Sequence, residues 1–433
     1  MFTTSVIAVT GAALLLGAFL WFGLWLRHGK RPFTSRVLVA MLLGAGLLCR
    51  VAFVFFTPVF YAPDEESHFN YVKYLAERHA LPVATTKMGD PANEWEYFQP
   101  PLYYLGLVPV YRLTEILVHD QGVMLRVLRC GSVLLWLVNV WCAGVLLKRL
   151  KIEDGFARVF VFATVCLLPT YTFISSAVNN DNLLATLGGV TVCLMARREQ
   201  TIRTSLALGW VLGMALLTKQ SALVLLPAIV LWRVLECRRR GSEWNATFQQ
   251  LAVALGLAVL LYAPWALRNW RVYGTLTPEN LSATELVWPS LLHGLASAGH
   301  NLVKTFWAVS GISNDVGYPF PLLGMGLMVL WFVGTQTGLQ PAQRPDALSW
   351  KANGPLLTAL FLTTFVSALL VLRFGYQFGM GQGRHLFFLL QPIALLFVAG
   401  LQSLPVKHLK IHAAGFWITY ATGFTACSLS RFP

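Results

Sequence analysis

The sequence predicts an all-α, polytopic transmembrane bundle, on three observations. Of 433 residues, 56% are hydrophobic and 12% charged, and the mean hydropathy is +0.60, a balance foreign to soluble globular domains. Apolar runs recur that supply the roughly 20 residues needed to cross a bilayer core. Between them stand basic clusters: Arg27/Lys30/Arg31/Arg36, Lys148/Arg149/Lys151/Arg158, Arg197/Arg198/Arg203, Arg233/Arg238/Arg239/Arg240, Arg344/Lys351 and Lys407/Lys410. Placing these clusters on the cytoplasmic side satisfies the positive-inside bias at every turn. That placement accounts for the net charge of +14 with no nucleic-acid partner.

The elements follow in order. Thr4 to Leu26 lacks a basic n-region and runs into Arg27-His-Gly-Lys-Arg31, so it reads as an extra anchor with its N-terminus outside. Val37 to Thr57 crosses outward. Residues 58 to 128 then form a long external loop. Within it, 65 to 79 predict an amphipathic helix lying on the membrane, with Phe69, Val72 and Leu75/Ala76 at helical spacing and Lys73, Glu77 and Arg78 facing away. Pro101 to Val118 is apolar, but a span here would put every later basic cluster outside. It is therefore expected as a helix buried in the bundle, or re-entrant.

Gly131 to Leu147 then runs inward, Val159 to Ser175 outward and Asn182 to Ala196 inward. A tight pair covers Leu206 to Trp232, turning near Lys219, and Phe248 to Trp265 runs outward to a second external loop, 266 to 319. Pro321 to Gly338, Pro355 to Phe374, Leu386 to Leu401 and Ile411 to Ser428 complete about twelve spans. The expectation is one transmembrane domain over 1 to 433, with no soluble domain and no internal repeat. The seven cysteines are scattered without a Cys-x-x-Cys pair, so neither zinc nor a disulfide framework is indicated.

This orientation sorts the acids as well. Of 19 Asp and Glu, only Glu153, Asp154, Glu199, Glu236, Glu243 and Asp346 fall inside. Acids carry little topological weight, so their excess outside marks the functional face. Asp64-Glu65-Glu66-Ser67-His68 is the densest group, and Pro63-Asp64 reads as a helix start. His68 sits one turn from Asp64 on the same face. Three roles are open to Asp64: a base whose basicity is raised by desolvation, a ligand with His68 for a divalent cation such as Mg or Mn, or a cap.

Glu94-Trp-Glu96-Tyr-Phe-Gln-Pro-Pro-Leu-Tyr-Tyr104 offers an interfacial aromatic belt, or flat faces and acceptors for a sugar. Asp181, in Asn179-Asn-Asp-Asn182, is either an N-cap or a further acid of the site. Lys219, Arg268 and Arg384-His385 break the positive-inside bias. Each could snorkel to lipid headgroups, but three at one level suggest an anion site. Gly379, Gly381 and Gly383 would let backbone N–H groups approach that anion.

Taken in order, Pro63-Asp-Glu-Glu-Ser-His68, Gln99-Pro-Pro-Leu-Tyr-Tyr104, Asn179-Asn-Asp-Asn182, Leu217-Thr-Lys219, Pro264-Trp265 with Arg268-Asn269, and Gly383-Arg-His385 resemble the GT-C superfamily of integral membrane glycosyltransferases. That superfamily includes protein O-mannosyltransferases and the aminoarabinose transferase of lipid A. The resemblance covers about 37 to 402. It implies a polyprenyl-phosphate sugar donor, inverting transfer on the periplasmic face of a bacterial inner membrane, Asp64 as base and Glu65 in reserve. It also implies Lys219, Arg268, Arg384 and His385 on the donor phosphate. Glu66, His68, Glu96, Gln99, Tyr103 and Asp181 are the candidates for sugar and acceptor.

Two departures are the extra span at 4 to 26 and the missing C-terminal soluble domain of protein-glycosylating relatives, which favours a glycan or lipid acceptor. Two rival readings are a lipid-linked oligosaccharide polymerase or ligase and a secondary transporter. A transporter would place its charges near the midplane and often show inverted repeats.

Overall fold

A computed structural model describes residues 35–84, 94–278, 285–307 and 350–403, and every regular element among them is helical. Helix α1 (Ser35–Phe56) leads to α2 (Glu65–Arg78) and α3 (Leu102–Leu117), followed by the long α4 (Gln121–Arg149). The pair α5 (Gly155–Leu167) and α6 (Pro169–Ile174) precedes α7 (Asp181–Met195) and α8 (Ile202–Leu216). A 3-10 turn at Gln220–Val224 feeds α9 (Leu225–Arg240), and α10 (Trp244–Tyr273) packs along α8. Helix α11 (Leu291–Trp307) lies on α12 (Trp350–Phe378), and a second 3-10 segment, Gly383–Leu389, opens into α13 (Leu390–Ser403).

Six of the described helical segments are long and apolar enough to cross a membrane, and Ala157–Leu167, Asp181–Met195 and Ile202–Leu216 are shorter apolar helices. The count of about twelve spans is not reached among the described residues. Three of the expected spans, 4 to 26, 321 to 338 and 411 to 428, lie outside them. The predicted turn at Lys219 stands between α8 and the first 3-10 turn. The second external loop is shorter at its start than expected, because α10 continues as helix to Tyr273.

Three expectations change. The apolar face of α2 does not lie on lipid. Phe69, Val72, Leu75 and Ala76 are buried with Tyr103, Tyr104, Tyr111 and Leu125 against α3 and α4. The aromatic belt is likewise internal: Tyr71 stacks on Tyr104 at 3.9 Å between ring centroids, and Tyr103 and Tyr104 are 3% and 0% exposed. Helix α3 buries that tyrosine face but leaves Leu113, Ile116 and Leu117 exposed, as a helix at the bundle's edge would.

The expected span from Val159 to Ser175 is broken at Leu168. Pro169 has no N–H to offer the carbonyl of Val165. That carbonyl instead accepts from the Trp136 indole at 3.0 Å and from Arg50 at 3.4 Å. Arg50 is fully buried, donates to Cys166 O at 2.7 Å and to Ser175 Oγ at 2.8 Å, and lies 4.0 Å above the Trp136 ring. A cation at this depth is held by carbonyls that the proline sets free.

The outer loop is fastened by a second buried cation. Arg129 on α4 uses all five of its N–H donors. Its Nε and Nη2 clasp Glu65 at 2.8 and 2.6 Å, and the rest reach the carbonyls of Val54, Thr57 and Pro58 at 2.9 to 3.1 Å. Glu65 Oε1 also accepts the Val178 N–H at 3.0 Å. One bidentate pair thus ties the end of α1, the start of α2, α4 and the approach to α7. Arg129→Met strands a buried carboxylate and should destabilise the fold by about 3–5 kcal/mol. Adding Glu65→Gln should recover a large part of that loss, and thermal unfolding in one detergent compares the three proteins.

Candidate active site

The fork at Glu65 holds the preceding residue in an unusual pose. Asp64 has φ 60 and ψ 8, left-handed backbone that Asp tolerates better than most residues. Its side chain does not cap α2. It reaches instead to Arg384, which donates through Nη2 to Asp64 Oδ2 and through Nη1 to the Pro63 carbonyl at 3.4 Å. The guanidinium also faces a second acid, with Nε 4.0 Å from Asp181 Oδ2, while Lys219 Nζ lies 2.6 Å from Asp181 Oδ1. Two carboxylates and two cations, separated by up to 320 positions in sequence, form one chain of charge.

Each member is placed by its own local chemistry. Asp181 is the first residue of α7, and the Asn179 side chain accepts its N–H at 2.9 Å, so it is not itself the cap. Lys219 sits in extended backbone between α8 and the 3-10 turn, beside Leu217, whose carbonyl accepts the first N–H of α3 at 3.0 Å. Arg384 opens the Gly383–Leu389 segment. That segment approaches α7 so closely that a Cβ on Gly188 would collide with the Phe388 carbonyl. Gly383 serves packing too: its N–H is taken by Thr305 Oγ1 at 2.6 Å, and a Cβ there would strike Leu302. The expectation that its N–H serves an anion is therefore corrected.

The charges line one end of a cavity of about 460 Å³. Asp64, His68, Glu96, Gln99, Lys219, Arg384 and His385 reach its wall, with Asp181 directly behind Lys219. Trp95, Phe98, Val224, Leu370, Phe374 and Phe388 make the remainder largely apolar. Tyr103 is near without lining it; its hydroxyl accepts the Asn179 N–H at 3.0 Å.

Three predicted residues are elsewhere. Glu65 is fully buried in the Arg129 clasp and cannot meet a substrate, so a reserve-base role does not fit. Glu66 is exposed on the outer face of α2 and lines no part of the cavity. Arg268 lies outside the lining, donating to the Pro82 carbonyl and packing 4.8 Å from the Trp265 ring. The sequence reading missed Arg129, although an Arg on the acid-rich side was the same departure from the positive-inside bias that singled out Lys219. Ser221 and Ser367, also in the wall, carried no signal at all.

Protonation is sorted by environment. Burial raises the Asp64 carboxyl, but Arg384 and Lys219 outweigh it and hold it below its ordinary value, against the expectation of raised basicity. Burial pushes His68 down to about 3, so the ring is neutral, with Nδ1 2.9 Å from the Tyr104 hydroxyl. Burial, with Asp64 as the next contributor, pushes Glu96 up to about 8. Glu96 is 7% exposed, and its Oε2 has no hydrogen-bond partner among the described residues. It is a neutral acid able to donate to a ligand in the cavity. Among the described residues no three of His, Cys, Asp and Glu converge as a metal site would require.

Residues 111–267 match the dolichyl-phosphate-mannose-protein mannosyltransferase family. The fold is similar to the apo oligosaccharyltransferase of Archaeoglobus fulgidus, with a TM-score of 0.55 at 11% identity. It is also similar to that organism's AglB in complex with an inhibitory peptide and a dolichol-phosphate, with a TM-score of 0.54 at 11% identity. In both cases 91% of this chain is covered and 56% of the other, so the chain spans little more than half the archaeal enzyme's length. ArnT from Cupriavidus metallidurans aligns over 90% of this chain and 77% of its own, at 14% identity and a TM-score of 0.42. No curated protein sequence matches. The family match covers one stretch of this chain, and the likeness to the archaeal enzyme is a likeness of fold.

The neutral acid yields a test. Glu96 binds its proton more tightly folded than unfolded, where a Glu titrates near ~4.3. Its contribution to stability is therefore complete below that value and lost as pH rises through about 8. The buried neutral His68 acts in the other direction, below its unfolded value near ~6.5. From about pH 6.5 to pH 8 the unfolding temperature should fall in the wild type and fall less in Glu96→Gln, as differential scanning fluorimetry would read.

Proposed function

We propose that this protein transfers a sugar from a polyprenyl-phosphate donor to a hydroxyl of a glycan or lipid acceptor, at the periplasmic face of a bacterial inner membrane. The observation that carries the reading is the pairing of Arg384 and Lys219 with Asp64 and Asp181 at a cavity whose wall is also largely apolar. A phosphate bearing an isoprenoid needs that combination: cations at one end, greasy walls beyond. The dolichol-phosphate bound by the archaeal relative supports the same class of ligand.

In this reading the donor phosphate competes with Asp64 for Arg384. A planar guanidinium holds phosphate bidentately, and Lys219 adds a point charge. Drawing Arg384 onto the phosphate frees Asp64 from the cation that lowers its basicity. The carboxylate is then fit to take the acceptor's proton, and only when the donor is seated. The acceptor oxygen forms its bond to the anomeric carbon as the bond from that carbon to the phosphate oxygen breaks. The proton goes to Asp64, and polyprenyl phosphate leaves with its negative charge matched by Arg384 and Lys219. A single displacement of this kind inverts the anomeric centre. Glu96, neutral, and Gln99 offer hydrogen bonds to sugar hydroxyls, while Trp95 supplies a flat face.

Radiolabel transfer by purified protein in nanodiscs, offered a panel of polyprenyl-phosphate sugars with membrane extracts as acceptors, tests this. Wild type should form donor-dependent product. Asp64→Asn should remain folded and donor-bound with turnover reduced about 10²–10⁴-fold. Near-wild-type turnover in Asp64→Asn removes Asp64 as the base. Arg384→Ala should lose donor affinity as well as rate, and unchanged affinity contradicts the phosphate role. Product only from a diphosphate-linked glycan would move the assignment to a polymerase or ligase.

A further inference from the structure

A second cavity, of about 500 Å³, lies at the other end of the bundle. Helix α7 runs from Asp181, behind the first cavity, to Met195 in the wall of the second. Its 15 residues span about 22 Å. Helix α9 likewise leads from beside Val224 to Arg240, and α12 from Asn353 up to Phe374. The two cavities therefore lie at opposite ends of these helices.

The second cavity is lined by Arg149, Lys151, Arg197, Arg198, Arg239 and Arg240. Among the described residues a single carboxylate lines the cavity with these six cations: Glu236, which accepts from Arg240 and lies 3.9 Å from Arg239. Arg149 and Arg240 also donate to the carbonyls of Cys193 and Arg198. No ion pair joins Lys151, Arg197 or Arg198 to a described residue. Beneath them Trp232, Met195, Leu150 and Leu356 form a buried apolar floor.

The positive-inside bias explains basic residues in these loops. It does not explain their convergence from α4, the α7–α8 connection and α9 on one hollow. Nor does it explain Lys151. The end of α4 is a Schellman motif, with Ile152 N–H on Leu147 O at 3.0 Å and Lys151 N–H on Lys148 O at 3.2 Å. The residue at its turn adopts φ 56. Glycine is the usual occupant of that position, and this chain places Gly241 and Gly274 there at the ends of α9 and α10, with φ 62 and 73. Lys151, in the cavity wall, occupies that position at the end of α4, as His79 does at the end of α2 with φ 52.

We propose that this cavity binds the phosphate of an anionic diacyl phospholipid from the leaflet opposite the carboxylate site. Arginines clamp phosphate oxygens bidentately. Basic pockets between transmembrane helices on the cytoplasmic side suit anionic headgroups, and the apolar floor meets the glycerol and upper acyl carbons. A free inorganic phosphate shares the charge chemistry but makes no use of that floor. The inference is independent of the function proposed for the first cavity.

Delipidated protein offered dioleoylphosphatidylglycerol or dioleoylphosphatidylcholine, read by native mass spectrometry, provides the test, with inorganic pyrophosphate as the soluble-anion probe. Wild type should retain one phosphatidylglycerol in preference to phosphatidylcholine. At about five-fold per charge removed, Lys151→Ala/Arg197→Ala/Arg198→Ala should lose roughly 100-fold in that preference. Lys151→Gly guards against misfolding: glycine at the helix end should raise the unfolding temperature while phosphatidylglycerol retention falls about five-fold. Equal retention of both lipids, or an undiminished preference in either variant, overturns the proposal. Pyrophosphate binding that the triple variant loses, without discrimination between lipids, overturns the lipid as the source of the anion.

Discussion

The clasp of Arg129 around Glu65 is the constraint on which the outer face depends. Burying a charge pair is costly unless geometry and hydrogen bonding are close to ideal. Here every donor of the guanidinium is used, on a carboxylate that also accepts the Val178 N–H. The return is positional. The fork fixes Pro58, Glu65 and Val178 relative to α4, and so sets the residue before it and the Asn179-Asn-Asp-Asn182 turn after it. Asp64 in its left-handed pose and Asp181 at the head of α7 are thereby presented to Arg384, which arrives from a distant part of the chain on the segment that Gly188 lets approach. An acid read as a spare base in the sequence is the anchor of the one beside it.

Charge is nearly balanced at the site itself, and that balance shapes its chemistry. Asp64 and Asp181 meet Arg384 and Lys219, while burial keeps His68 uncharged and holds Glu96 protonated up to about pH 8. Asp64 is tied to Arg384, and Lys219 to Asp181. Under the proposed function, a donor phosphate would upset that balance in the useful direction, by competing for Arg384 and releasing Asp64. Coupling base strength to donor occupancy in this way would guard against proton abstraction in the absence of donor.

Much of this was legible in the sequence, for physical reasons. Hydropathy and basic loops show the helical membrane class because the bilayer imposes length and charge rules on every span. Lys219 and Arg384-His385 stood out because they break the positive-inside bias, Asp181 as an acid at a helix start, and the structure brings all four to one place. Partners could not be read, since pairing is decided by tertiary contacts across hundreds of residues. Glu65 and Glu66 look alike beside Asp64, yet one turns into the bundle and one to the outside; only the position of Arg129 separates them. Arg268 broke the same rule as Lys219 but is occupied by Trp265 and the Pro82 carbonyl. Arg50 lay hidden in an apolar run, and its role follows from a proline more than a hundred residues away.

The most direct measurement is a structure of the protein in nanodiscs with a polyprenyl phosphate bound. Phosphate density between Lys219 and Arg384, with the Arg384–Asp64 contact opened and the isoprenoid along Val224, Leu370 and Phe374, is the result expected. Phosphate bound elsewhere, with Arg384 still on Asp64, would contradict the proposed exchange of partners and with it the activation of the base.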